Sequence, residues 1–170
     1  MDLFKEFIVK KELTRNEKTS RTFIIIACVA FAATVLILTL GTILQIFGIV
    51  FAAAGIYFGW HIISRFFVEY KYIVTNTDLD IDKITNQASR KRLITVDLHK
   101  VSEYGKVDDS FEAGEDDTVI RAYACNPELD DYYLRFTHKQ YGSCVLVFTP
   151  SMEIIDIIKP SLPRNVVAKL

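Results

Sequence analysis

The chain has 170 residues, a net charge of −1 and hydrophobic residues at 51% of its positions, which leaves room for one small domain beside any membrane segment. With acids and bases nearly balanced there is no dominant basic face, so a nucleic-acid partner is excluded. The three cysteines, Cys28, Cys125 and Cys144, show no C-x-x-C or Cys/His spacing. They read as free thiols in a reducing compartment, with neither a zinc site nor a redox pair.

Residues 1–21 carry Lys5, Lys10, Lys11, Arg15, Lys18 and Arg21 against Asp2, Glu6, Glu12 and Glu17. Leu3, Phe4, Phe7 and Ile8 fall on one side of a helix, with Lys5, Glu6 and Lys10 elsewhere. This cytoplasmic segment reads as a short amphipathic helix on the inner leaflet, or as a flexible tail.

From Thr22 to Ser64 there is no Lys, Arg, Asp or Glu. As one helix this stretch would run about 65 Å, twice the thickness of the hydrocarbon core. It therefore folds back at Gly41-Thr42, giving spans over 22–40 and 43–64. A second hydrophobic segment follows the first at once and the stretch before it is long, so the first is not a signal peptide. Basic residues precede the first span, Arg65 and Lys71 follow the second, and the turn has none. The positive-inside rule then predicts a multi-pass protein of the inner (plasma) membrane with both termini in the cytoplasm.

Gly48, Ala52, Gly55 and Gly59 share one face of the second span and include a G-x-x-x-G match; Ala27, Ala30 and Thr34 make a similar face on the first. Such faces let helix backbones approach closely. They serve either the packing of the hairpin on itself, which the short turn favours, or a homodimer seam. Gln45 and His61 are the strongly polar side chains within the spans, and both lie near span ends, where interface anchoring outweighs an ion pathway.

Residues 65–170 form a slightly acidic domain with almost no linker, so it is expected against the inner leaflet. Trp60, Phe66, Phe67 and Tyr70 are then near the headgroups. Strands are predicted over Tyr70–Thr75, Asp78–Ile84, Leu93–Leu98, Ser102–Val107, Val119–Cys125, Tyr132–Thr137 and Cys144–Phe148. A helix follows over Met152–Lys159, with Ser151 as N-cap, an Ile154/Ile155/Ile158 face, and Pro160 and Pro163 as stops. The fold class is α+β: a transmembrane hairpin, then a seven-stranded antiparallel barrel or sandwich closed by a C-terminal helix.

Tyr70-Lys-Tyr-Ile-Val-Thr-Asn76, Leu79-Asp-Ile-Asp-Lys-Ile84, Arg90-Lys-Arg-Leu93 and Phe148-Thr-Pro-Ser151, placed after two spans, resemble bacterial membrane proteins with a pleckstrin-homology-like domain. The resemblance covers nearly the whole chain and implies a seven-stranded barrel capped by the C-terminal helix. No position matches the headgroup motif of eukaryotic pleckstrin-homology domains, so their lipid-phosphate role does not carry over.

Arg90, Lys91 and Arg92, with Lys83 and Lys100 near in sequence, are the sharpest basic cluster and the candidate contact with an anionic leaflet. The other reading is a solvated hairpin with charges guarding a strand. Asp78-Leu-Asp80-Ile-Asp82 begins like a calcium loop, but Lys83 and Ser89 stand where Gly and Glu are needed, so no metal is expected. The acidic run Asp108, Asp109, Glu112, Glu115, Asp116 and Asp117 reads as a self-repelling loop. His99 and His138 have aspartates nearby but no nucleophile in a recognised setting, and no phosphate or dinucleotide loop is present, so neither catalysis nor a cofactor is expected.

The expected function is a membrane-anchored, non-catalytic binding or scaffold module at the inner leaflet. Its partners are the lipid bilayer and another membrane or soluble protein. The alternative is a small accessory subunit of a larger transport or envelope complex, working through its hairpin.

Overall fold

A computed structural model describes residues 4–108, 111–114 and 116–167. It comprises two bodies: residues 13–67, and the residues before Leu13 together with those after Phe67.

In the first body, α1 (Arg15–Thr39) and α2 (Gln45–Ser64) form a hairpin, and each is long and apolar enough to cross a membrane. α1 begins one to two turns before the apolar run, because the Glu17 carboxylate accepts the Thr14 backbone N–H at 2.9 Å and caps the start. Thr22, Thr34 and Thr39 donate their hydroxyls to carbonyls four residues back, which satisfies them without water. The break runs from Leu40 to Leu44, longer than two residues, and Gly41 supplies the left-handed backbone there with φ 74°.

The second body is a two-sheet sandwich. One sheet has the order β1-β2-β3-β4, with β1 (Phe4–Lys10), β2 (Val68–Thr75), β3 (Asp78–Thr85) and β4 (Ser89–Asp97), all antiparallel. The other has the order β5-β7-β8-β6, with β5 (Val101–Lys106), β6 (Thr118–Ala122), β7 (Tyr132–His138) and β8 (Gly142–Phe148). Asn86 and Gln87, both at left-handed φ, turn the β3–β4 hairpin. Tyr72, Val74, Leu79, Ile81, Val96, Leu134, Leu146 and Phe148 from facing strands fill the core. α3 (Met152–Ile158) closes it with Ile154 and Ile158. Ser151 caps this helix by accepting the Ile154 N–H at 3.4 Å. A 3₁₀ turn at Lys159–Ser161 and α4 (Arg164–Val167) follow.

The α+β class, the β domain after the helices and the closing helix agree with expectation. Four features differ. The described part of the N-terminal segment is neither a helix nor a tail: Phe4–Lys10 is a strand, paired with β2 from Phe4↔Thr75 to Lys10↔Glu69. Its β-compatible alternation puts Phe7 and Val9 inward, and pairing buries more of them than an isolated seven-residue helix could. Leu3 lies outside the described residues. The domain therefore is not residues 65–170 alone. Among the described residues the strands are eight, in two sheets that form a sandwich and not a closed barrel. Finally, β6 runs parallel to β8 from Thr118↔Cys144 to Ala122↔Phe148, because the chain crosses from β5 to β6 without a hairpin.

Candidate functional site

A buried hydrogen-bond network gathers β2, the end of β6, the loop before β7 and the end of β8. The Tyr72 hydroxyl donates to the Ala122 carbonyl at 2.5 Å and accepts the Thr149 N–H at 3.2 Å. The Thr149 hydroxyl accepts the Ala124 N–H at 2.8 Å and donates to the Asp131 carboxylate. Burial pushes both the Tyr72 phenol and the Asp131 carboxyl above their ordinary ranges.

The network fixes the loop Asn126–Asp131. Asn126 folds it, its side-chain oxygen accepting the Glu128 N–H at 2.8 Å and its carbonyl the Leu129 N–H at 3.1 Å. The Asp131 carbonyl accepts from Val107 N–H at 2.8 Å. Between this loop and α3 lies a cleft of about 290 Å³, walled by Phe7, Leu129, Tyr132, Pro150, Met152 and Ile155. Met152 is 72% and Leu129 44% exposed, so the apolar walls meet solvent. Glu128 and Asp130 stand on its rim. Asp130 is bridged by Lys106 at 2.6 Å, and Glu153 by Lys5 at 2.6 Å.

A larger basin of about 570 Å³ lies between the end of β4 and the β7–β8 turn, with Thr95, Asp97, Lys100, Phe136, His138 and Lys139 among its walls. Lys100 donates to Asp97 at 2.6 Å, which lowers the Asp97 carboxyl and raises the Lys100 ammonium. Asp97 also accepts the His99 backbone N–H at 3.1 Å, so it caps the turn and does not orient the His99 ring. His138 accepts the Gln140 N–H at 3.2 Å and stacks on Tyr141.

A family described as Bacterial PH-like domain (DUF6106) matches residues 1–168, the strand before the hairpin included. The chain belongs to this family. None of the curated proteins and none of the solved structures matches it.

In this PH-like domain the basic cluster is spent on internal pairing. Arg90 Nε donates to Asp82 at 2.6 Å, and Arg92 reaches Asp82 at 3.2 Å and Asp80 at 2.9 Å. Asp82 is only 2% exposed, buried under the two guanidinium groups on the outer face of its sheet. Lys91 points to the opposite side of β4, beside Lys83. The structure therefore does not gather Arg90, Lys91 and Arg92 into one outward patch. Asp80 and Asp82 are partners of these arginines, and the described residues hold no cluster suited to a metal ion.

Trp60 and Phe67 are exposed, Phe66 half-buried. Arg21 lies over the Phe67 ring at 5.5 Å, a cation–π contact within the hairpin body, and Trp60 lies against Tyr57. Tyr70, in contrast, is 7% exposed and belongs to the core, so it is not a headgroup contact. Gly48, Gly55 and Gly59 face Thr39, Phe31 and Cys28 of α1, and Ala52 is buried with them. In the acidic run, Asp109 and Glu115 lie outside the described residues. Asp117 is anchored: it accepts from Ser143 and from the Gly114 N–H, which hold its carboxyl below the usual range, and pairs with Arg135 at 3.3 Å.

Phe7, Leu129, Tyr132, Met152, Thr149 and Asp131, which make the cleft and its support, are not legible as a site in sequence. The signal for Phe7 is the alternation of Phe4-Lys-Glu-Phe-Ile-Val-Lys10, which also suits a strand.

Proposed function

We propose that the protein is a membrane-anchored, non-catalytic binding module of the cytoplasmic face, recruiting a protein partner through the cleft between the Asn126–Asp131 loop and α3. The cleft carries this reading: it offers Met152, Leu129 and Phe7 as apolar anchors, with Glu128 among its lining residues. A partner segment that presents a large apolar side chain complements it.

Anchoring rests on the connectivity. β1 and β2 are neighbours in one sheet, yet the whole apolar hairpin joins them. The two chain ends of the hairpin therefore start from one side, which supports two spans and cytoplasmic termini. Gly48, Gly55 and Gly59 are turned toward α1, which supports packing of the hairpin on itself over a homodimer seam on that face.

The test is site-specific photocrosslinking of the full-length protein in its native membrane, with the probe at Met152 or, as control, at Thr95 in the other basin. One partner captured from Met152 and not from Thr95 supports the reading. Equal capture at both positions, or lipid alone at Met152, sinks it.

A further inference from the structure

We infer that the base of the hairpin holds a site for the phosphodiester of an anionic phospholipid, centred on Arg21, given a hairpin that crosses the bilayer as proposed for its anchoring.

The uncharged run is bounded by two arginines, Arg21 before Thr22 and Arg65 after Ser64. Packing of the hairpin sets them level. Gly48 faces Thr39 and Gly59 faces Cys28 across the antiparallel pair. Seven residues on, about two helical turns, Arg21 follows Cys28 on the same face of α1 and Phe66 follows Gly59. The same register sets Arg65 beside Thr22. Arg21 thus stands on the interhelical stripe to which Cys28 and the buried Ala32 belong. It is half-buried there, and its guanidinium lies 5.5 Å from the centre of the Phe67 ring.

These charges are unspent. Among the described residues no carboxylate pairs with Lys18, Arg21 or Arg65; Arg65 reaches the His61 Nε2 at 3.4 Å. The Phe67 ring offsets part of the Arg21 charge but gives its five N–H donors no oxygen acceptor. A half-buried guanidinium with free donors fits an oxyanion, and the oxyanion at the depth of the span ends is the lipid phosphodiester. Its two non-bridging oxygens match the guanidinium fork. Arg65 and Lys18, the latter one turn further out on α1, add positive charge. They disfavour the choline or ethanolamine cation of a zwitterionic lipid, so a headgroup of net negative charge is selected.

The test is native mass spectrometry of the full-length protein from detergent micelles holding equal amounts of phosphatidylglycerol and phosphatidylcholine. Wild type retains phosphatidylglycerol about tenfold over phosphatidylcholine, and excess inorganic phosphate does not displace it. Arg21→Gln abolishes the preference. Arg21→Lys, which keeps the charge but not the fork, loses most of it, and Phe67→Leu weakens it. Arg15→Gln removes an equal charge six residues earlier and leaves the preference within about twofold. Carbonate extraction from phosphatidylcholine vesicles separates the site from the anchoring on which it depends, since wild type and Arg21→Gln both stay with the lipid. Equal retention of the two lipids, equal effects of Arg15→Gln and Arg21→Gln, an unchanged preference in Arg21→Lys, or displacement by inorganic phosphate would overturn the site and leave the anchoring standing. Release of the wild type by carbonate would overturn both.

Discussion

Val9 stands opposite Tyr70 in neighbouring antiparallel strands, although the entire apolar hairpin separates them in the chain. The β domain is thus completed by a strand that precedes the apolar hairpin. A fragment starting at Val68 loses Phe7 and Val9 from its core, at about 1.5–3 kcal/mol for each side chain, against a total stability of about 5–15 kcal/mol. It should aggregate or show collapsed amide dispersion. Residues 4–12 joined to 68–167 through a short Gly/Ser turn should give a dispersed spectrum and a cooperative melt.

Arg90 and Arg92 cover the buried Asp82 carboxylate. Replacing both with Gln leaves that charge unpaired and is expected to cost about 2–3 kcal/mol, reduced from the fully buried case because the arginines are half exposed. Lys91→Gln should change stability by less than about 0.5 kcal/mol. Denaturant titration of the solubilised protein separates the two, and equal effects would remove the pairing as the role of these arginines.

Thr149→Val deletes one hydroxyl from between the Ala124 N–H and the Asp131 carboxylate. With a buried donor and a buried acceptor left unpaired, a loss of about 2–3 kcal/mol is expected. A midpoint within about 0.5 kcal/mol of wild type would show that water takes over the hydroxyl's place.

Burial raises the Asp131 carboxyl, with the Thr149 hydrogen bond acting against it. The folded protein therefore holds this proton more tightly than the unfolded chain. The contribution of Asp131 to stability is greatest below the ordinary carboxylate range and falls as pH rises through the raised value. Asp97 and Asp117, whose carboxyls are lowered, act in the opposite sense and lose their contributions as pH falls. The difference in melting temperature between Asp131→Asn and wild type isolates the first effect. It should move in favour of the variant from about pH 3 to about pH 7. A flat difference would mean that Asp131 ionises as freely in the folded protein as in the unfolded one.

In the hairpin, a Cβ at Gly59 would collide with the Cys28 Sγ, whereas one at Gly48 would collide with three Thr39 side-chain atoms. Gly59→Ala should cost about 1–3 kcal/mol and be largely rescued by Cys28→Ala. Gly48→Ala has no comparable escape, because the Thr39 Cβ itself stands at 2.8 Å. Thermal unfolding in detergent across these variants checks the pairing of the two helix faces.

The hairpin was legible because a long uncharged run admits few structures, and the strands from Tyr70 to Phe148 because their inward faces alternate. β1 was not, since Phe4-Lys-Glu-Phe-Ile-Val-Lys10 fits a helical stripe and a strand equally, and its partner lies beyond two helices. The pairing of Arg90 and Arg92 was hidden for a related reason. Its counter-charges Asp80 and Asp82 sit in the preceding strand, where register alone decides that they face Arg90 and Arg92. The cleft was invisible because it is made by Phe7, Tyr132 and Met152, residues that any core would employ.

The interruption of one sheet by the hairpin also sets an order of events during synthesis. β1 leaves the ribosome first and has no partner until both helices and then β2 have been made. The sheet can close only after the apolar hairpin has been made, so β1 waits for its partner through the synthesis of both helices. Until then Phe7 and Val9 have no neighbouring strand to cover them.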